Sequence, residues 1–125
     1  MLLAISTLVI LYLTLSPSDQ IGDFSIYQYD KIGHFSLFFV WTFFFGLLIL
    51  SFKDMDTNLL FVFITGSLFG ITIEVLQGIM PFGRSADIGD AIADIIGTFC
   101  ATILLYLIKE RYWILGELIV KKNKK

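Results

Sequence analysis

Two carboxylic acids, Glu74 and Asp94, stand well inside apolar stretches of this 125-residue chain. An ionised side chain at the centre of a lipid-embedded helix costs about 2.5–3.5 kcal/mol on insertion scales. Each acid must therefore be protonated, paired or hydrated. Groups able to answer them recur at helical spacing. Lys31 and His34 are three residues apart, Glu74 and Gln77 three, and Asp90 and Asp94 four. Side chains so spaced share one face of a helix. Asp30, Arg84 and Asp87 complete the polar set. A histidine among carboxylates suits proton exchange, and Glu74, Asp90 and Asp94 can accept hydrogen bonds from amide or sugar donors. Arg84 and Lys31 suit an anion, arginine through bidentate contacts to phosphate or carboxylate.

Each residue also has a plainer reading. Asp87 and Asp90 can cap a helix and complement its dipole, and for Asp87 the cap is the favoured one. Asp30 and Lys31 can be boundary residues, His34 an interfacial filler, and Gln77 a packing hydrogen bond. Glu74 and Asp94 resist the plain account best, because burial penalises both.

The elements that carry these residues are apolar. The chain is 57% hydrophobic and 16% charged, against about 25% charged in soluble domains. The apolar runs lack the polar face a soluble helical bundle needs. Four spans follow: Leu2–Leu15, Ile32–Phe52, Asn58–Met80 and about Ile88–Ile108. The first reaches only about 21 Å as a helix, short of the ~30 Å hydrocarbon core. It lacks a basic leader region and a small-residue cleavage site, so a short helix ended by Ser16-Pro17 is preferred to a signal peptide. In lipid, only helices satisfy their backbone groups within one segment. The expected fold is all-α: an integral membrane four-helix bundle over 1–108, followed by a basic tail over 109–125.

Ser16–Lys31 is a longer loop whose Phe24, Ile26, Tyr27 and Tyr29 suit the lipid–water boundary. Lys53–Asp56 and Met80–Ser85 are tight connections. Trp113–Leu115 and Leu118–Val120, flanked by basic residues, fit an interfacial helix. From Lys109 onward six basic residues face two acids. The positive-inside rule then places the C-terminus in the cytoplasm, and four crossings return the N-terminus there. With that topology Asp30, Lys31, His34, Glu74, Gln77, Arg84, Asp87, Asp90 and Asp94 gather near the outer face. Glu74 lies about 24 Å along its helix from Asn58, inside the slab. Gly66 and Gly70 extend its face, and Gly97 and Ala101 extend that of Asp94, so close helix approach is expected. Cys100 is the only cysteine, is read as packing, and permits no intrachain disulfide.

The ordered set resembles the VanZ-like family of small bacterial membrane proteins. Leu11-Tyr12-Leu13-Thr14-Leu15-Ser16-Pro17 is similar to that family's opening segment. Asp30-Lys31-Ile32-Gly33-His34-Phe35 resembles its Asp-Lys-x-x-His motif, and Ile73-Glu74-Val75-Leu76-Gln77 its Glu-x-x-Gln motif. Met80 to Asp90 resembles its Pro-Gly-Arg turn leading to an Asp, with an extra Phe82 before Gly83. Ala93-Asp94-Ile95-Ile96-Gly97 resembles its Ala-Asn/Asp-x-x-Gly continuation. The resemblance implies a bacterial plasma-membrane protein and an association with low-level teicoplanin resistance. It supplies no mechanism.

Three functions are open. The first is recognition of a headgroup at the outer boundary: a phospholipid, a lipid-linked cell-wall precursor or a lipidated glycopeptide antibiotic. Here Asp30, Lys31, Gln77 and Arg84 are the binding residues. The second is an enzyme acting on such a group. His34 and Glu74 would be acid and base, Asp90 and Asp94 would orient the base, and Lys31 and Arg84 would stabilise a developing anion. The third is a structural accessory protein whose polar set locks the bundle. His34 with Glu74, Asp90 and Asp94 is a conceivable divalent-metal ligand set, but no metal-motif spacing supports it, and no cofactor is assigned. No nucleotide loop or basic stripe in water is present, so nucleic acid is not an expected partner.

Overall fold

The computed structural model describes residues 1–16, 27–52, 57–80 and 85–123, with side chains described in those stretches except at 27–29 and 115–123. The described residues form four helices and no strand: α1 (Leu2–Leu15), α2 (Tyr27–Phe52), α3 (Leu59–Ile79) and α4 (Ile88–Asn123). Segments of α2, α3 and α4 are long and apolar enough to cross a membrane, namely Asp30–Phe52, Leu59–Ile79 and Ile88–Ile114. The 14-residue α1 is shorter. The expected loop Lys53–Asp56, and Arg84 with its turn, lie outside the described residues.

Two boundaries differ from the sequence expectation. Helix α2 begins at Tyr27 rather than Ile32, so the first connection is shorter than Ser16–Lys31 and Asp30 falls in the first helical turn. A carboxylate there faces the positive end of the helix dipole. At the other end α4 runs without a break through the basic tail to Asn123. Its 36 residues extend about 54 Å, well beyond a hydrocarbon core. Helix α3 matches closely. Asn58 is its N-cap, accepting the Leu60 N–H at 2.9 Å, and Met80 is its C-cap.

The faces of these helices are inverted relative to a soluble protein. On α3 the exposed stripe is Phe61, Ile64, Leu68, Ile71, Val75 and Ile79, whereas the buried stripe includes Gly66, Gly70, Glu74 and Gln77. On α4, Ile92, Ile96, Phe99 and Ile103 face outward while Asp90, Asp94, Thr98 and Ala101 face inward. In water this arrangement would expose apolar area and bury polar groups. In lipid it is the favourable one, because the tails solvate the apolar stripe and the bundle satisfies the polar one.

The most extensive packing joins α2 to α4. It depends on Gly97, where an added Cβ would collide with the Phe35 carbonyl oxygen, a backbone atom that cannot rotate away. Between α2 and α3, Phe38 and Trp41 pack with Ile73 and Phe69, and Ile10 of α1 joins that cluster. A second cluster, Leu50, Val62 and Leu105, closes the other end of the bundle. Lys109 there donates to the Thr57 carbonyl oxygen at 3.0 Å, just before α3 begins.

Gly97→Ala should force α2 and α4 apart, costing about 1–3 kcal/mol as overpacking does. At Gly33 an added Cβ meets nothing within 4 Å, so Gly33→Ala should be neutral or gain up to about 1 kcal/mol of helix stability. Thermal unfolding of both variants in detergent, followed by loss of the monodisperse peak, distinguishes them. Equal behaviour would show that the Gly97 contact does not set the packing.

Candidate functional site

The site forms where α2 and α4 begin and α3 ends. Asp87 precedes α4 and caps it. Its Oδ1 accepts the Gly89 N–H at 2.7 Å, and its carbonyl accepts those of Asp90 and Ala91. This satisfies part of the orphan donor set at a helix start, so the capping reading of Asp87 holds. The same carboxylate has a second task. Its Oδ2 accepts from Lys31 Nζ at 2.9 Å, and Lys31 also donates to Asp90 Oδ1 at 3.0 Å. The Lys31 ammonium, helped by the Gly89 N–H, holds the Asp87 carboxyl below its usual range. Lys31 and Asp87 are half-exposed, whereas the Asp90 side chain is only 9% exposed.

One turn deeper the polar side chains are almost fully buried. His34 on α2, Glu74 on α3 and Asp94 on α4 retain 3%, 5% and 0% of their surface. His34 Nδ1 lies 3.0 Å from Asp94 Oδ1 and 3.7 Å from Glu74 Oε1. The shorter contact is a hydrogen bond, which requires a proton on one of the two atoms. Glu74 Oε2 accepts the backbone N–H of Asp87 at 3.0 Å, so α3 is tied to the start of α4. Two carboxylate oxygens are left over. Glu74 Oε1 and Asp94 Oδ2 are buried and find no hydrogen-bond partner among the described residues. Such groups are rare in folded proteins and costly.

Small residues make this convergence possible. A Cβ on Gly70 would stand 2.8 Å from Asp94 Cβ, so α3 has to be bare where the aspartate passes. A further step into the bundle, Thr42 Oγ1 donates to Thr98 Oγ1 at 3.2 Å, and a Cβ on Gly66 would crowd both threonines. That layer lies between the acid–histidine set and the Leu50–Val62–Leu105 cluster.

The structure thus unites His34, Glu74 and Asp94 in one buried set, with Asp90, Lys31 and Asp87 directly above. Asp30 is exposed at the rim, with a carboxylate oxygen within 4.8 Å of ligand atoms of His34 and Asp90. Gln77 is buried but turned elsewhere, its Nε2 donating to the Thr14 carbonyl oxygen of α1 at 2.8 Å. That bond ties α3 to α1, the helix-to-helix contact of its plainer reading. Arg84 lies outside the described residues. Sequence reasoning missed Thr42, Thr98, Thr14 and Trp41, whose Nε1 donates to Thr7 Oγ1 at 2.8 Å. A signal for the first two was available: Thr98 follows Asp94 by one turn, and Thr42 follows His34 by two.

A helical bundle with apolar outer faces, whose ionisable residues from three helices meet near one end, defines a polytopic membrane protein with a buried polar centre. The chain matches the VanZ/LLP1 family model over residues 3–109. It belongs to that family. No curated protein and no solved structure matches it significantly.

The Gln77–Thr14 bond satisfies one of the terminal carbonyls of α1, which has no intrahelical partner of its own. Gln77→Leu should leave that carbonyl unpaired, costing about 1–3 kcal/mol. Amide exchange should accelerate selectively at the end of α1, near Ser16. Unchanged exchange there would show that the Gln77 bond does not hold the end of α1.

Proposed function

We propose that this VanZ-family protein binds the headgroup of an amphiphile at one membrane boundary, with the acyl tails lying along the bundle's apolar outer faces. One observation carries the reading. The polar groups descend continuously from half-exposed Lys31 and Asp87, through Asp90, to the buried His34–Asp94–Glu74 set. The descent begins at the level where α2 and α4 start. On α4, Asp90 and Lys109 are separated by about 28 Å of helix, close to the thickness of the hydrocarbon core. The rim therefore sits at headgroup depth.

The rim chemistry limits what fits. Lys31 is shared between two carboxylates. A ligand enters favourably if it supplies an anion for the ammonium and N–H or O–H donors for Asp87 and Asp90. Phosphatidylethanolamine, a lipid-linked cell-wall precursor and a lipidated glycopeptide all present such groups. Six basic residues from Lys109 onward favour a cytoplasmic C-terminus, which would put the rim on the outer leaflet of a bacterial plasma membrane. A member that binds a lipidated glycopeptide there, or covers its target, would lower susceptibility to teicoplanin.

The purified full chain, kept in EDTA, is titrated with each of the three amphiphiles. Phosphatidylcholine, whose headgroup has no N–H or O–H donor, is the comparison. A donor-bearing amphiphile should raise the thermal midpoint, and phosphatidylcholine should not. Asp90→Asn should weaken the binding about 10-fold, the value of one charge-assisted hydrogen bond. The reading fails if every amphiphile, phosphatidylcholine included, gives the same response, or if Asp90→Asn binds as wild type does. The arm that responds identifies the source of the headgroup.

A further inference from the structure

Beneath the rim the protein holds chemistry that headgroup recognition does not use. His34 Nδ1, a Glu74 oxygen and an Asp94 oxygen come from three different helices, and their ligand atoms all lie within 4.8 Å of one another. Acidic clusters are common and prove little. This one differs in that two of its oxygens, Glu74 Oε1 and Asp94 Oδ2, are buried and have no hydrogen-bond partner among the described residues. Both belong to side chains more than nine-tenths buried, beside the imidazole. Two carboxyl groups next to each other in a medium of low dielectric repel when ionised, and one histidine proton answers only one of them.

We propose that His34, Glu74 and Asp94 form a binding site for one divalent transition-metal cation. Ligand atoms around a four-coordinate zinc, with bonds of about 2.0–2.2 Å, stand roughly 3.3 Å from each other. The observed separations from His34 Nδ1, 3.0 Å to Asp94 Oδ1 and 3.7 Å to Glu74 Oε1, bracket that value. The third pair, Glu74 with Asp94, lies within 4.8 Å. On binding, the cation takes the Nδ1 lone pair. The imidazole's remaining proton sits on Nε2, and any proton shared with Asp94 is released to solvent. Glu74 Oε2 keeps its hydrogen bond from the Asp87 N–H, an outer contact that orients the ligand. One imidazole and two carboxylates select zinc, manganese or iron over soft cations. Three protein ligands leave a position open for water or a ligand oxygen.

A second triad, Asp30, His34 and Asp90, also meets the distance test. It is the weaker choice. Asp90 Oδ1 already accepts from Lys31, and Asp30 is exposed. Of the two triads, the inner one presents oxygens with no hydrogen-bond partner among the described residues.

The inference deepens the headgroup reading, on which any role of the cation in binding a ligand rests; occupancy itself does not depend on it. The full chain, without a histidine tag, is stripped with EDTA in detergent and titrated with Zn²⁺ and with Co²⁺, no lipid ligand being added. One cation per chain is expected, with a raised thermal midpoint and visible Co²⁺ ligand-field bands. His34→Ala, Glu74→Gln and Asp94→Asn should each weaken binding by more than the 10–100-fold typical of outer contacts and abolish the bands. Asp30→Asn should retain them. The two amide variants keep side-chain shape and remove a repelling charge. Their metal-free midpoints should therefore equal or exceed that of wild type, while the metal-induced rise disappears. If one amide variant fails to fold, the other and the wild-type titration still decide. A folded wild-type protein that shows neither bands nor a thermal shift overturns the site. So does binding that survives both amide variants, or that is lost only in Asp30→Asn. A donor-headgroup response in EDTA with no metal binding would sink this inference and leave the other reading standing; metal binding with no headgroup response would do the reverse.

Discussion

The structure depends on a charge problem in a medium that cannot solvate charge. Glu74 and Asp94 are buried in helices whose outer faces are hydrocarbon-like. Neither can turn outward, since an ionised acid facing lipid tails is penalised, and a protonated one still needs a hydrogen-bond partner. The bundle answers part of this by bringing His34 to both acids and by lending Glu74 the Asp87 N–H. That N–H is an orphan of the α4 N-terminus, which has to find an acceptor in any case. A helix end and a buried acid thus satisfy each other, and the same contact fixes α3 against α4.

This solution has a steric condition. Three helices must approach until side chains one methylene beyond Cβ can touch, and Gly70, Gly66 and Gly97 allow it. Hydrocarbon gives little drive for helix association on its own, so close packing and buried polar contacts carry more of the load than in water. The threonines follow the same logic. Thr14, Thr65, Thr72 and Thr102 each return the hydroxyl proton to a carbonyl oxygen four residues earlier in the same helix. The Thr42 hydroxyl instead spends its bond on Thr98 across the interface. Only that second use adds cohesion between helices.

Much of this was legible in the sequence, for definable reasons. Long apolar runs identify spans because the bilayer imposes a length, and Asn58 and Met80 bound α3 within a residue of their expected places. The convergence of His34, Glu74 and Asp94 followed from cost: each acid needed company, and shared-face spacing left few directions. What spacing does not encode is which neighbour a polar tip reaches. Gln77 stands three residues after Glu74, on much the same side, yet it reaches α1 rather than the cluster. Lys31 reads in sequence as a boundary residue or a cation for an anionic ligand, but is held between Asp87 and Asp90 once α4 is folded beside it. Helix continuation past Ile108 was also unreadable, because a basic tail with scattered apolar residues fits either a turn onto the membrane or an unbroken rod.

The depth of the polar set bears on what kind of work it can do. From the rim inward the sequence of layers is ion network, acid–histidine set, threonine pair, and then the apolar contact of Leu50, Val62 and Leu105. Polarity falls monotonically along that line. A permeation route needs polar or wet groups along the bundle, and the charged groups described at the far end lie beyond that apolar cluster: Lys109 donates to the Thr57 carbonyl oxygen, and Glu110 and Arg111 are exposed. Carrying a solute through would require prising apart Leu50 and Leu105, which retain 1% and 0% of their surface. That gradient is the physical basis of the proposed headgroup reading, in which a ligand enters and leaves by one mouth, and the costly acids stand within two helical turns of the helix ends that form it.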